Sequence, residues 1–373
     1  MKKIIAILLL LATVFSLAAC NKKYKPVEST EEEARTVMTL ELDGKKYDVK
    51  YELYRALFLT YKNAVDGGDE SVWSGDNSSA YVEKINEMIV DGVIEIYSAF
   101  ALCERIHFDL YSGDVEEKIS EYIKISVEGG SYGNTKINGH DSYKKYLADL
   151  KAKGLNYSVQ VLMFRYAIAI DAIDTYYIGT ASSDDVDGNI SKGALEYTKE
   201  DVEDFYNSDD CVRVLRISVQ TIMGYQKAQK VKDALENAAS SKSEPADKET
   251  AVTNAIMGNG LYTDVAEVKN GYVIGRYNLD RFYFGDMTDA AFALNEGDVS
   301  DPVEIIATGE DSYYILYRTF KSGEHFNANY ENIKYIYLTN CVGKISHGVA
   351  EELRSSVLYT EYFESLDHSR IGM

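Results

Sequence analysis

The sequence predicts an α+β protein: a mainly helical module, completed by a C-terminal helix, with an inserted unit of β-α-α-β-α-β order. Three observations lead there. Between Tyr51 and Tyr177 apolar residues recur at three- and four-residue steps, the repeat of a helix face. From Val212 to Val219 the pattern changes to strand-like alternation, and from Tyr330 to Leu366 the helical spacing returns. The chain has 373 residues, room for two to three units at roughly 150 residues per domain, and 46% of them are apolar, enough to bury a core.

The N-terminus has its own logic. Lys2 and Lys3 precede an apolar run from Ile4 to Phe15, then Leu17-Ala18-Ala19-Cys20. A short basic segment, an apolar core too short for a stable span and small residues before a cleavage point read as a secretory signal. The Leu-Ala-Ala-Cys ending resembles the bacterial lipobox, which implies a diacylglyceryl anchor on Cys20 at the extracytoplasmic face of the cell membrane. Two acyl chains hold a protein on a bilayer where one binds only marginally. Asn21 to Arg35 is polar and reads as a tether, with Lys22, Lys23 and Lys25 beside anionic headgroups.

The folded part opens with a hairpin, in which Thr39–Leu42 alternates, Asp43-Gly44 turns and Tyr47–Val49 returns. A helix follows from about Tyr51 to Val65, then a Gly-, Asp- and Ser-rich loop from Asp66 to Ser79. Val82, Ile85, Ile89, Val93, Ile96 and Phe100 mark the clearest helix of the chain. Asp114 with Glu117 reads as the cap of another helix, and Gly129–Gly139 as a loop. Ser142 opens a short helix, and Leu155–Tyr177 is a strongly apolar one. Gly179–Gly193 is the linker. Thr198 and Asp201 carry the capping pattern of a helix reaching Tyr206. Strands are then expected at Val212–Val219, Tyr272–Arg276 and Tyr313–Tyr317, and helices at Tyr225–Ala239, Ala246–Met257 and Thr288–Leu294.

Composition limits the chemistry. Sixty Asp and Glu against 39 Lys and Arg give a net charge of −21, so nucleic acid is excluded as a partner. Of the rings, 31 are Tyr against 12 Phe and 1 Trp, a bias suited to a surface that handles polypeptide. Cys20, Cys103, Cys211 and Cys341 have no CxxC spacing, and the five histidines are scattered, so no metal and no cofactor are expected.

Asp289-Ala290-Ala291-Phe292-Ala293-Leu294, then Glu296-Gly297-Asp298-Val299-Ser300-Asp301-Pro302-Val303, then Ser312-Tyr313-Tyr314-Ile315-Leu316, closely resembles the C-terminal half of parvulin-type (PpiC-like) prolyl isomerase domains. Val212–Val219 is similar to that family's first strand, so the resemblance covers about 195–320. It implies that Ala290 and Ala291 let a helix lie close to the sheet, that Phe292 plugs the core, that Gly297 turns and that Ser300 and Pro302 lead into an edge strand. The helices on either side are similar, more loosely, to the chaperone module of SurA-like and PrsA-like foldase lipoproteins. The organisation so implied is a signal peptide at 1–19, lipid anchor and tether at 20–38, a SurA-like helical module at 39–179, a linker at 180–196, a parvulin-like domain at 197–325, and a C-terminal helix at 326–373 packing on the N-terminal module.

The family's chemistry is where the sequence departs. Rotation about an X–Pro bond crosses a barrier of roughly 20 kcal/mol, and an isomerase lowers it with an apolar proline pocket and a polar network around the twisted amide. In the alignment the two histidine positions hold Arg216 and Tyr314, the acidic position Val273, and the pocket positions Tyr283 and Met287. These five residues form the expected peptide groove, and no residue is assigned as catalytic. The expected function is a membrane-anchored extracytoplasmic chaperone that binds unfolded secreted polypeptides, its parvulin-like domain degenerate. An active peptidyl-prolyl isomerase and a non-catalytic envelope scaffold or ligand-binding lipoprotein are the alternatives. Two weaker motifs are read as loops: Gly129-Gly130-Ser131-Tyr132-Gly133, which fits G-x-S-x-G without a preceding strand, and Ser183–Ile190, a partial calcium loop with Ala194 where a bidentate Glu belongs.

Overall fold

Backbone strain and burial explain the first elements of the computed structural model, which describes residues 24–76, 78–132, 135–179, 193–259, 265–277, 281–305 and 312–371. Strands β1 (Thr36–Leu42) and β2 (Lys45–Lys50) pair antiparallel through a turn with positive φ at both Asp43 (53°) and Gly44 (76°). That conformation matches the right-handed twist of the paired strands. Two compact units form, one from 24–176 with 346–371 and one from 177–345. Among the described residues no helix is long and apolar enough to cross a membrane.

In the first unit, helix α1 (Tyr51–Asp66) buries Leu53, Tyr54, Leu57, Phe58 and Tyr61 on one face and ends on Gly67, whose φ of 62° suits a residue without a Cβ. Helix α2 (Ser78–Arg105) buries Ile85, Ile89, Val93, Ile96 and Phe100, and α3 (Gly113–Glu128) buries Val115, Ile119, Tyr122 and Ile123. The cap of α3 is Ser112, whose hydroxyl accepts from Val115 N–H, and Asp114 sits inside the first turn rather than at the cap. Gly129–Gly139 is not a plain loop: β3 (Gly130–Tyr132) and β4 (Thr135–Ile137) pair within it. Helices α4 (Tyr143–Ala152, capped by Ser142) and α5 (Tyr157–Tyr177) complete the N-terminal part.

The second unit begins with α6 (Lys199–Asn207), where Thr198 and Asp201 form a reciprocal capping box. Its sheet has the order β6-β5-β8-β7, all antiparallel, from β5 (Cys211–Gln220), β6 (Tyr272–Gly275), β7 (Val303–Ile305) and β8 (Ser312–Thr319). Helices α7 (Tyr225–Ser240), α8 (Pro245–Asn259) and the unanticipated α9 (Val265–Asn270) fill the β5–β6 connection. Leu215, Ile217, Val219, Ile315 and Tyr317 pack with α7 and α8 on one side of the sheet. Val212, Val214, Ile274 and Leu316 pack with Met287 and Ala291 of α10 (Arg281–Ala293) on the other. Phe292 packs against that core from its margin: it is half-buried, with the Arg276 guanidinium 4.3 Å from its ring centroid. The edge strand β7 does follow Pro302, and Gly297 (φ 95°) makes the turn before it, its N–H bonded to Arg318 O.

Helix α11 (Gly323–Ala328) leads into α12 (Tyr330–Ser355). Residues 330–345 of α12 belong to the second unit, where Ile333 and Ile336 pack with Val202, Phe205 and Tyr206, and the helix from Ser346 onward belongs to the first. Gly343 permits the approach: a Cβ there would fall 1.4 Å from Tyr277 O. Asn340 Oδ1 accepts Tyr277 N–H at 2.8 Å beside it. The expected helix to Leu366 stops at Ser355. There the hydroxyls of Ser355 and Ser356 bond back to Glu352 O and Leu353 O, competing with the next helical turn. Strand β9 (Leu358–Tyr359) then joins the first unit's sheet in the order β2-β1-β9, and α13 (Glu361–Glu364) brings Tyr362, Phe363 and His368 against Tyr51, Tyr54 and Phe58 of α1.

Candidate functional site

Strand alternation decides which residues share the face where the groove was expected. On β5, Val212, Val214 and Arg216 point to the α10 side, and Leu215, Ile217 and Val219 to the α7–α8 side. Arg216 is opposite Leu316 on β8, Ser218 is opposite Tyr314, and Val214 is opposite Tyr272 on β6. Arg216 therefore lies diagonally between two tyrosines on flanking strands, within reach of both. Its guanidinium carbon is 3.7 Å from the Tyr272 ring centroid and 5.1 Å from that of Tyr314, and Nη1 lies 4.0 Å from Met287 Sδ. Each cation–π contact contributes about 0.5–2 kcal/mol, more as water is excluded. The result is a half-buried stack of phenol, guanidinium and phenol beside a buried thioether.

Three of the five predicted residues thus come together: Arg216, Met287 and Tyr314. Val273 does not join them. It is paired with Arg213 and packs with Phe205, Tyr206 and Phe326 behind the sheet, since a shift of one residue along a strand moves a side chain to the opposite face. The residue that belongs to the face is its neighbour Tyr272, which the alternation of Tyr272 with Ile274 marks. Tyr283 lies on α10, and its side chain is outside the described residues, as are Cys20 and Ser183–Ile190. Gly129 is the C-cap of α3 and Gly130–Tyr132 is β3, a helix-to-strand order opposite to that of a hydrolase elbow.

The chemistry follows from the inventory. A guanidinium donates hydrogen bonds and keeps its proton at any working pH. Phenol rings and a thioether offer flat, polarizable surface. Such a face suits peptide carbonyls and apolar or aromatic side chains, and it contains no imidazole. The one histidine of residues 177–345, His325, is engaged elsewhere: Nε2 donates to Asn270 O at 2.8 Å, and Nδ1, the acceptor, is 3.0 Å from the Tyr206 hydroxyl. Burial, and after it the Arg213 charge, hold His325 below the usual imidazole range, so it is neutral near pH 7. Among the described residues no cluster of three or more His, Cys, Asp or Glu could hold a metal ion. Cys103 and Cys211 are buried thiols that burial pushes up to about 12, unsuited to nucleophilic work.

The tyrosine excess is divided between two uses. Tyr54, Tyr61, Tyr166, Tyr206 and Tyr317 are among the largest fully buried side chains, so much of the excess is core and not surface. Tyr54 donates to Asn86 Oδ1 at 2.6 Å, and Tyr166 to Glu95 at 3.2 Å, which is how a buried phenol keeps its polar end satisfied. Tyr111, by contrast, is 66% exposed, and with Tyr47, Tyr97, Phe100 and Phe108 it lines a cavity of about 370 Å³ in the first unit.

No protein-family model and no curated protein matches the chain by sequence. Among solved structures it is similar to the foldase protein PrsA of Streptococcus pneumoniae, with 14% identity over 85% of this chain and 92% of that one at a TM-score of 0.24. It is also similar to the foldase protein PrsA of Lactococcus lactis, with 16% identity, 91% and 100% coverage and a TM-score of 0.23. PrsA of Bacillus subtilis gives 13% identity, 74% and 87% coverage and a TM-score of 0.23. Scores this low do not superpose whole chains.

Proposed function

We propose that the protein is an extracytoplasmic, membrane-tethered chaperone of the foldase type, which holds unfolded secreted polypeptides and whose parvulin-like unit binds without catalysing isomerisation. The observation that carries this reading is the Arg216 face, where a guanidinium between Tyr272 and Tyr314 stands in place of the imidazole pair that the resemblance calls for. A donor of fixed charge and two phenol rings favour binding of a peptide backbone, and they offer no proton relay to a twisted amide. The motif blocks at 289–303 and 312–316 and the lipobox-like ending at Cys20 support the foldase class and the location.

Two assays test it. In a protease-coupled assay on a proline-containing peptide, the protein is expected to leave the uncatalysed rate unchanged; a rate enhancement that Tyr314→Ala abolishes would overturn the non-catalytic assignment. At stoichiometric ratio the protein is expected to suppress aggregation of an unfolded client, and no suppression would favour the scaffold alternative. Fractionation of cells producing the Cys20→Ser variant tests the anchor: the variant is expected in the medium and the parent protein in the membrane.

A further inference from the structure

Within the first unit a cleft of about 680 Å³ runs between α2 and the segment that follows α12. Its apolar lining is Val82 and Val90 on α2, and Val357, Tyr359 and Phe363 opposite, with Tyr359 and Phe363 stacked at 4.2 Å. The cleft is bordered by β9, the outer strand of the β2-β1-β9 sheet, and among the described residues no strand pairs with its outer side. Leu358 is 68% exposed and Tyr359 42%, two large apolar side chains on an edge that soluble proteins ordinarily cover or charge.

The register shows where the free backbone groups lie. Thr360 N–H bonds to Val37 O, and Met38 is opposite Tyr359. In an antiparallel pair, bonded and non-bonded residues alternate, so Leu358 and Thr360 direct their backbone groups to β1, and Tyr359 directs its N–H and C=O away from it. One wall of the cleft is acidic. Glu83 and Glu87 are exposed at a four-residue spacing on α2, and neither has an ion-pair partner among the described residues. The nearby Arg354 is taken by Asp91, at 2.6 Å, and by Glu351.

We infer that this cleft takes an extended polypeptide segment that adds to β9 as a fourth strand, with apolar side chains on Val82, Val90 and Phe363 and a lysine or arginine against Glu83 and Glu87. Open backbone groups supply the pairing, the cleft supplies the alternate side-chain pockets, and the carboxylates select the sign of the charge. The inference rests on the chaperone reading and narrows it to a class of client: stretches in which apolar and basic residues take turns at every second position, so that both lie on the face turned to the cleft.

The test measures fluorescence anisotropy of a labelled nine-residue threonine peptide, with valine and lysine taking turns at its odd positions, on the full chain, beside a control with glutamate in place of lysine. The lysine peptide is expected to bind, more weakly as salt rises, and the glutamate peptide not to bind. The Glu83→Gln/Glu87→Gln variant, altered at exposed helix positions, is expected to bind the lysine peptide about fivefold more weakly. Methylating the peptide's alternate backbone nitrogens is expected to abolish binding in one of the two frames only. Equal binding of both peptides, an unaffected double variant, or tolerance of methylation in both frames would each overturn the inference. Aggregation suppression separates it from the wider reading: suppression that Glu83→Gln/Glu87→Gln leaves intact for a basic client sinks the cleft and spares the chaperone. Lysine-peptide binding without any suppression does the reverse.

Discussion

Replacing Glu249 by alanine is expected to destabilise the second unit by about 3 kcal/mol, through the charge it leaves behind. Arg213 on β5 is 3% exposed and Glu249 on α8 is 13% exposed, and they form a two-pronged pair, Nη1 to Oε2 at 2.9 Å and Nη2 to Oε1 at 3.2 Å. The other guanidinium protons reach Asn270 O, Phe320 O and Lys269 O, and the Thr319 hydroxyl donates to Glu249 at 2.6 Å. One residue thus ties β5 to α8, to the end of α9 and to the chain after β8. Breaking a buried pair by removing one partner costs about 3–5 kcal/mol, and the slight exposure of Glu249 favours the lower end. Glu249→Gln retains an acceptor and should lose about half as much. The double variant Arg213→Met/Glu249→Leu removes both charges and should come within about 1 kcal/mol of the parent protein. The single tryptophan, Trp73, lies in the first unit and does not report on this one. The assay is therefore native-state hydrogen exchange at the β5 and β8 amides, where 3 kcal/mol is about a hundredfold in rate. Unchanged exchange in Glu249→Ala, or a double variant worse than the single, would refute the reasoning.

Gly343→Ala, whose Cβ would meet Tyr277 O, should displace α12 from β6 at a cost above about 2 kcal/mol, seen as faster exchange at 272–275. Gly348→Ala on the same helix meets nothing within 4 Å and should stabilise by about 0.5–1 kcal/mol in urea unfolding followed at Trp73. Arg216→Ala should cost about 1–2 kcal/mol from the lost stacking on Tyr272 and Tyr314, read by exchange at β5. Burial holds His368 below its ordinary value of 6.5, against the opposing pull of Asp367, where it packs on Tyr54 and Phe58. The unfolded chain then takes up its proton first, so this contribution is full above about pH 6.5 and is lost as pH falls through the lowered value. Trp73, 5.1 Å from Phe58, should report that loss in urea titrations at successive pH, and His368→Phe should remove that part of the dependence.

The elements were legible in the sequence wherever a period of two or of 3.6 ran long enough. Helices α1, α2 and α5 and strands β5 and β8 lie where periodicity placed them, because each buries a whole face whatever its neighbours are. The short elements were not legible. β9 has two residues and β3, β4 and β7 have three each, too few to show a period, and they exist only because a partner strand is present. The same holds at the site. Arg216, Met287 and Tyr314 were found through motif blocks and spacing, but Val273 and Tyr272 differ by one position, and only the pairing register tells which of them faces Arg216.

By itself the sequence determined the α+β class, the change from helical to strand period and back, the capping of α6, and the absence of histidine from the aligned isomerase positions. These are local or compositional properties, carried by neighbours a few residues apart. Tertiary structure alone decided that α12 divides its packing after Ile345, that Gly343 lies against the Tyr277 backbone, and that Tyr272 completes the Arg216 face. It also decided that β9 stands as an open edge beside Glu83 and Glu87. Each depends on segments tens to hundreds of residues apart meeting in one register, and no window of the chain contains both partners of such a contact.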